Sequence, residues 1–314
     1  MRIDSDATII GGGPAGLSAA TWLARHRRSA VVVDSGEYRN RWVRASHGYL
    51  GSDPGSPDEL RTAAHRDLAR YGSVRIIGDR ALSAAANDDT FTVQLQQAGP
   101  LTSRRLVLAT GVADQFPSVA GFFDHYGRSV FHCPSCDGYE TRDRPVVVVG
   151  WSADVTGFAA GLLEWASSVT VVTDGRRFEG DSEHRRHLGD LGVAVLTDEV
   201  VELCGEPGTL EAVRLRDGGL LACAFAFFSI AHRPRKQLAR DLGCEVVAEG
   251  CIIVDDEGRT SVPGVYAAGD VTPGIQYVQA AAAGGALAGT ACALSLRDEA
   301  LGGGTGRHDR PGRP

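Results

Sequence analysis

The apolar positions of this chain fall into two runs of strand, turn and helix. Ala7-Thr8-Ile9-Ile10 leads into Gly11-Gly12-Gly13-Pro14-Ala15-Gly16. Leu17 to Ala24 then reads as a helix of good helix formers, and Ala30-Val31-Val32-Val33 as a second strand ending at Asp34. The pattern returns at Val146-Val147-Val148-Val149, which enters Gly150-Trp151-Ser152-Ala153-Asp154-Val155. A helix pattern to about Ser167 and a strand at Val169–Val172 follow. Between the two runs, the glycine-rich loop 46–55 precedes Ser56-Pro57-Asp58-Glu59. That is a capping box with proline at the first helical position, and it predicts a helix to about Tyr71. Strand patterns occupy Val74–Ile77, Phe91–Leu95 and Leu106–Leu108, the last ending in Ala109-Thr110-Gly111. Downstream, Asp217-Gly218-Gly219 turns a hairpin between Ala212–Leu215 and Leu220–Ala222. Phe225–Ile230 and Cys251–Asp255 read as strands, Thr260–Val271 ends a strand on an acid, and Gln279 to about Leu296 is a closing helix. Alternating strands and helices predict an α/β fold.

Composition narrows the classes. With 314 residues the length suits about two domains, and 43% hydrophobic with 23% charged residues is ordinary for a globular protein. A net charge of −7 gives no reason to expect nucleic acid or an anionic membrane as partner. The polar start, Met1 to Asp6, is followed by no long apolar run, so neither a signal peptide nor a membrane span is expected. The glycine-rich tail after Leu301 cannot bury a core and is expected to be disordered.

The first turn is a G-x-G-x-x-G in its strand–turn–helix–strand setting. Gly11 permits the tight turn, Gly13 lets amides approach a pyrophosphate, and Gly16 lets the helix pack on the strand. The helix N-terminus favours the phosphate charge, and Asp34 is placed to accept from a ribose hydroxyl. A dinucleotide site is expected here.

Cys133-Pro134-Ser135-Cys136-Asp137-Gly138 carries the second chemistry, and a C-x-x-C has three readings. Zinc needs four ligands, and no second pair of suitable spacing follows. Two buried structural thiols are the plain alternative. A disulfide centre is the third, and the dinucleotide site supplies the electron carrier it needs. The other five cysteines (Cys204, Cys223, Cys244, Cys251, Cys292) read as reduced core residues of a cytoplasmic protein.

The second turn repeats the first topologically and departs from it chemically. Ser152 replaces the second glycine, Val155 the third small residue, bulky Trp151 lies in the loop, and Asp154 adds a negative charge. Each hinders a pyrophosphate. At the end of the following strand, Asp174 suits an unphosphorylated ribose. Arg176 and Arg177 suit a 2′-phosphate, or are solvated surface charges. His47 is either near the cofactor or an ordinary loop histidine.

These motifs, with Thr260–Val271 and Tyr277-Val278-Gln279-Ala280, resemble the low-molecular-weight thioredoxin reductase family over nearly the whole chain to about Leu296. The resemblance implies two Rossmann-like dinucleotide-binding domains. A discontinuous FAD domain would comprise residues 1–114 and 242–297, with a pyridine-nucleotide-like domain inserted at 115–241 and a tail at 298–314. It implies FAD held by Gly11, Gly13, Pro14, Ala15, Gly16, Asp34, Thr110, Gly111, Gly269, Asp270, Gln279 and Ala280. NADPH or NADH would be held by Gly150, Arg176 and Arg177. Cys136 resembles the flavin-proximal sulfur, Cys133 the interchange thiol and Asp137 the proton-shuttling acid. No metal is implied, and a homodimer is.

The departures from the family matter. Its second glycine motif is broken, its His-Arg-Arg phosphate clamp reads Thr173-Asp174-Gly175, and Val278 stands where an arginine is usual. The loop Ala45–Gly51 looks more like the bacterial and fungal dithiol oxidases, which have lost the nicotinamide site and pass electrons to oxygen. Those relatives carry histidine after the second cysteine, whereas this chain keeps Asp137. A disulfide reductase acting on thioredoxin or a similar protein is the first expectation. A dithiol oxidase acting on a small molecule is the second, and a flavin redox sensor is the non-enzymatic third.

Overall fold

The computed structural model describes residues 3–302. In chain order these form β1 (Ser5–Ile10), α1 (Pro14–Arg25), β2 (Ala30–Val33), α2 (Pro57–Leu68), β3 (Val74–Ile77), β4 (Ala81–Asn87), β5 (Thr90–Leu95), β6 (Leu101–Leu108) and β7 (Val112–Asp114). Next come α3 (Phe122–His125), β8 (Val130–Phe131), α4 (Pro134–Asp137), β9 (Pro145–Val149), α5 (Val155–Leu162), β10 (Ser168–Val172), α6 (Ser182–Asp190), β11 (Ala194–Leu196) and β12 (Val200–Cys204). The chain closes with β13 (Ala212–Leu215), β14 (Leu220–Ala222), β15 (Phe225–Phe228), β16 (His232–Pro234), α7 (Gln237–Asp241), β17 (Val265–Ala267) and α8 (Val278–Ala300).

The chain divides into two compact units, one of residues up to Arg39, Asp58–Ala113 and Arg233 onward, the other of Asn40–Pro57 and Asp114–His232. In the first, one sheet runs β3-β2-β1-β6-β5-β4, with β17 also paired to β6. Strands β1, β2, β3, β6 and β17 are parallel; β4 and β5 complete the sheet antiparallel. The parallel strands read as unbroken apolar runs because both of their faces are covered. Ile9 and Val32 join one core with α1 and α8, while Ile10, Val31 and Val33 join another that includes Leu238 and Ala239 of α7.

Helix α8 is long and apolar enough to cross a membrane by length and composition. Its small residues instead seat it on α1. A Cβ at Gly285 would lie 2.0 Å from the Ala15 carbonyl oxygen, and one at Gly289 2.5 Å from that of Ala19. The two backbones touch where any side chain would hold them apart.

The second unit has a parallel sheet, β11-β10-β9-β15-β8, and an antiparallel one, β12-β13-β14. Val146 to Val149 are all buried at its centre.

Several boundaries differ from the sequence expectation. Residues 40–57 belong to the second unit, where Trp42 packs 5.1 Å from Phe123 and 6.4 Å from Phe116, ring centre to ring centre. The return to the first unit falls at Arg233, because α7 buries Leu238 and Ala239 there. The helix from Val155 stops at Leu162. Cys251–Asp255 makes only an isolated bridge, Val246 to Ile252, since Ile252 alone of the five is fully buried. Helix α8 continues to Ala300, past the expected start of the tail at 298; the rest of that tail, from 303, lies outside the described residues.

Candidate active site

The glycine-rich turn of the first unit is shaped by close backbone approaches. Gly11 has φ +117°, and a Cβ on it would lie 2.1 Å from the Ala109 carbonyl oxygen. A Cβ on Gly16 would lie 1.9 Å from the Gly11 oxygen. Gly13 is different: none of the described residues stands within 4 Å of where its Cβ would be, so the space outside the turn is open. Pro14 and Ala15 begin α1, whose amino end faces this turn.

Gly12, which the motif leaves unspecified, is as constrained as Gly11 and Gly16. A Cβ there would lie 2.1 Å from the Asp34 carboxyl carbon. Asp34 is buried; one oxygen accepts from the Gly36 amide at 2.8 Å and the other from the Arg61 guanidinium. Arg61 also donates to the Gly12 carbonyl at 3.3 Å and lies over the Tyr38 ring at 4.3 Å. Sequence reasoning missed Arg61, which α2 brings in from 27 residues away. Asp34 lines a cavity of 630 Å³ with Gly36, His65, Gly78 and Asp79. His65 Nε2 is buried without a hydrogen-bond partner among the described residues, and burial together with nearby Arg61 holds its pKa below the usual value.

The remaining expected residues of this unit lie past the carboxyl ends of β6 and β17 or open α8. Thr110 donates to the Arg235 carbonyl at 2.8 Å, and the Gly111 carbonyl, at φ +63°, accepts from the Arg235 amide at 2.9 Å. Gly269, at φ +81°, approaches Ala15, where a Cβ would come within 2.8 Å of the Ala15 methyl. Asp270 pairs with Arg39 at 2.9 Å, and Arg39 also donates to Gln276 at 2.6 Å. Gln279 and Ala280 lie in the first turn of α8. β2 and β3 lie to one side of β1, and β6 and β17 to the other. The switch point where doubly wound sheets take ligands therefore falls between β1 and β6.

In the second unit Cys133 and Cys136 form a disulfide. The Cys136 and Asp137 amides both donate to the Cys133 carbonyl at 3.1 Å, winding the pair into the single turn of α4. Gly138 lets that turn lie against Trp165; a Cβ would come within 2.5 Å of the indole. Both cysteines are partly exposed, and Ser135 between them is open to solvent. Burial pushes the Asp137 carboxyl up to about 7; neighbouring His47 works against the rise and Glu140 adds to it. Such a group holds and releases a proton near neutrality.

The second glycine turn is built differently from the first. The Gly150 amide donates to Val172 at 3.0 Å, but a Cβ there would meet Val155 at 2.7 Å and Ser229 at 2.9 Å. The Trp151 carbonyl accepts from Glu179 at 2.8 Å, and the Arg176 guanidinium lies 3.9 Å from the centre of the Trp151 ring. Asp174 accepts from the Val200 amide at 3.0 Å, fixing the next turn. Arg177 is exposed. Arg176 is thus stacked on the loop residue that interrupts the motif, and Asp174 is used to hold β12.

Cys223, Cys244 and Cys292 are buried free thiols, whereas Cys204 and Cys251 are partly exposed. Burial pushes Cys223 and Cys292 up to about 12, which keeps them protonated and inert.

The profile of the pyridine nucleotide-disulphide oxidoreductases matches residues 5–285. Thioredoxin reductase tcpT of Claviceps purpurea is 33% identical, covering 93% of this chain and 94% of its own length. The solved structure of HlmI is 35% identical with a TM-score of 0.89, covering 95% of this chain and 94% of that one. Thioredoxin reductase from Streptococcus pyogenes is 27% identical with a TM-score of 0.87, covering 94% and 98%.

Proposed function

Because the chain belongs to the pyridine nucleotide-disulphide oxidoreductase family, we propose that it performs flavin-linked thiol–disulfide exchange at Cys133–Cys136, in the direction of dithiol oxidation. The family implies FAD and a nicotinamide dinucleotide, and the two fit this chain unequally.

FAD fits the first unit. The open space beside Gly13 and the amino end of α1 suit a pyrophosphate, and the cavity beside Asp34 offers His65 Nε2 without a partner. Gly11 to Gly16, Asp34, Thr110, Gly111, Gly269, Asp270, Gln279 and Ala280 would hold it. Bound there, FAD would supply the two-electron acceptor for the dithiol and a route onward to oxygen.

A nicotinamide dinucleotide does not fit the second turn. Arg176 on Trp151 is the observation that carries the reading: one of the two arginines that could receive a phosphate lies instead over the ring in the loop. Ser152, Asp154 and Val155 oppose a pyrophosphate in the same place.

The chemistry then belongs to the disulfide and its acid. A substrate thiolate attacks the exposed disulfide at Cys133 and releases the Cys136 thiolate. The second substrate thiolate closes the substrate disulfide and releases Cys133. Asp137, titrating near neutrality, takes up a substrate proton without moving far from its own pKa. A small dithiol is the substrate class.

The second reading is a reductase fed by NADPH or NADH and acting on a thioredoxin-like protein. Asp137 favours it, as do the names of the relatives. A redox sensor would not need an acid tuned for proton transfer. The test is oxygen uptake by the purified flavoprotein with dithiothreitol and no nucleotide. One peroxide per disulfide formed supports the oxidase; turnover requiring NADPH or NADH together with thioredoxin supports the reductase.

A further inference from the structure

We infer that His47 and Glu140 are positioning residues for Asp137, carrying its proton between the redox pair and solvent. This rests on the reading that Asp137 serves the exchange, in either direction of electron flow.

The loop that presents His47 is fixed at its base. Ser46 and Gly55 exchange backbone hydrogen bonds at 2.8 and 3.0 Å, Tyr49 bridges Ser52, and Asn40 donates to the Ser46 hydroxyl at 3.0 Å. The imidazole stands between two carboxylates: Nδ1 is 3.2 Å from Asp53 Oδ1 and Nε2 is 3.8 Å from Glu140 Oε1. The first is a hydrogen bond. The second is an ion-pair distance that one small movement or a bridging water closes. The His47 side chain is 24% exposed and Asp53 52%, so the far side of the ring reaches solvent.

Glu140 contributes the second observation. Its Oε2 is buried and has no hydrogen-bond partner among the described residues. A buried carboxylate oxygen left without a hydrogen-bond partner is costly, and a donor brought to it relieves that cost. Glu140 sits three residues after Asp137 on the following turn, and the two carboxyls repel while His47 attracts. Arg142 lies over the Tyr139 ring at 3.6 Å and donates to the Tyr139 carbonyl, and α5, which packs on α4, carries no charged side chain.

The proton path balances simply. A thiol proton passes to the Asp137 carboxylate as the thiolate forms; the acid hands it to Glu140 or His47, and Asp53 and solvent take it on. No electrons move in these steps. One histidine on a loop and one glutamate on a turn, 93 residues apart, would set when Asp137 is an acid and when it is a base.

The test uses full-length holoprotein reduced with dithiothreitol and freed of it. The rate of iodoacetamide alkylation of Cys133 and Cys136 is followed by mass across pH 5–9. The wild type should show an inflection near 7 that Asp137→Asn removes. His47→Gln should move that inflection up and Glu140→Gln should move it down, each by on the order of half a pH unit. Asp53→Asn, at an exposed position, should move it up by less and guards against a His47 variant that does not fold. If Asp137→Asn removes the inflection but the His47, Asp53 and Glu140 variants leave it in place or move it the same way, the relay is wrong and Asp137 acts alone. If Asp137→Asn itself changes nothing, the role given to Asp137 has failed first.

Discussion

Replacing Asp137 by asparagine keeps the shape of the side chain and removes its ionisable proton and its charge. An ordinary aspartate with a pKa of 3.8 would be protonated in about one molecule in 1,600 at pH 7. Pushed up to about 7 by burial, it is protonated in about half, roughly an 800-fold enrichment of the acid form. Both forms are then abundant, the condition under which a positioned acid–base group adds about 10²- to 10⁴-fold. Asp137→Asn is therefore expected to slow exchange with dithiothreitol by about 10²- to 10³-fold at pH 7 while the flavin stays bound. Stopped-flow mixing without oxygen measures it. The same shift has a stability signature. Because the folded state raises this pKa, the native protein binds the proton more tightly than the unfolded chain does. The stabilisation is complete below 3.8 and is lost as pH rises through about 7. The wild type should thus lose stability between pH 4 and 7 relative to Asp137→Asn. An asparagine variant that exchanges within about threefold of wild type, with an unchanged pH profile, would refute the reasoning.

Two further predictions concern the redox pair and the glycines. Cys133→Ser should leave Cys136 as a lone thiolate and give the long-wavelength flavin charge-transfer band; the band appearing instead in Cys136→Ser would reverse the two sulfurs. Gly13→Ala and Gly285→Ala should separate binding from folding. The first adds a methyl to open space and should leave thermal stability unchanged while weakening FAD retention. The second drives a methyl to 2.0 Å from the Ala15 oxygen and should cost about 1–3 kcal/mol or more, read as a lower Tm.

Local patterns carried much of this protein. The apolar runs at Ala30–Val33 and Val146–Val149 announce buried parallel strands, and the turn Gly11–Gly16 announces its own close contacts. What stayed hidden depends on contacts distant in sequence. Trp42 carries residues 40–57 into the second unit by packing on Phe116 and Phe123. Arg61 reaches Asp34, at the end of β2, from α2, and His47 reaches Glu140 from a loop. Arg176 was legible as a cation, but not its stacking on Trp151, since no periodicity encodes that contact. Cys251–Asp255 shows the converse: β-branched residues suggested a strand, yet only Ile252 is given a core to enter.

Anaerobic mixing of the FAD-loaded protein with dithiothreitol, NADPH and NADH in turn, followed at the flavin band at about 450 nm, bears most directly on the proposal that the second turn takes no nicotinamide dinucleotide. Rapid bleaching by the dithiol and none by either nucleotide is the expected result. Rapid bleaching by NADPH or NADH would contradict it, because a nucleotide would then be bound despite Arg176 on Trp151, and the reductase reading would take its place.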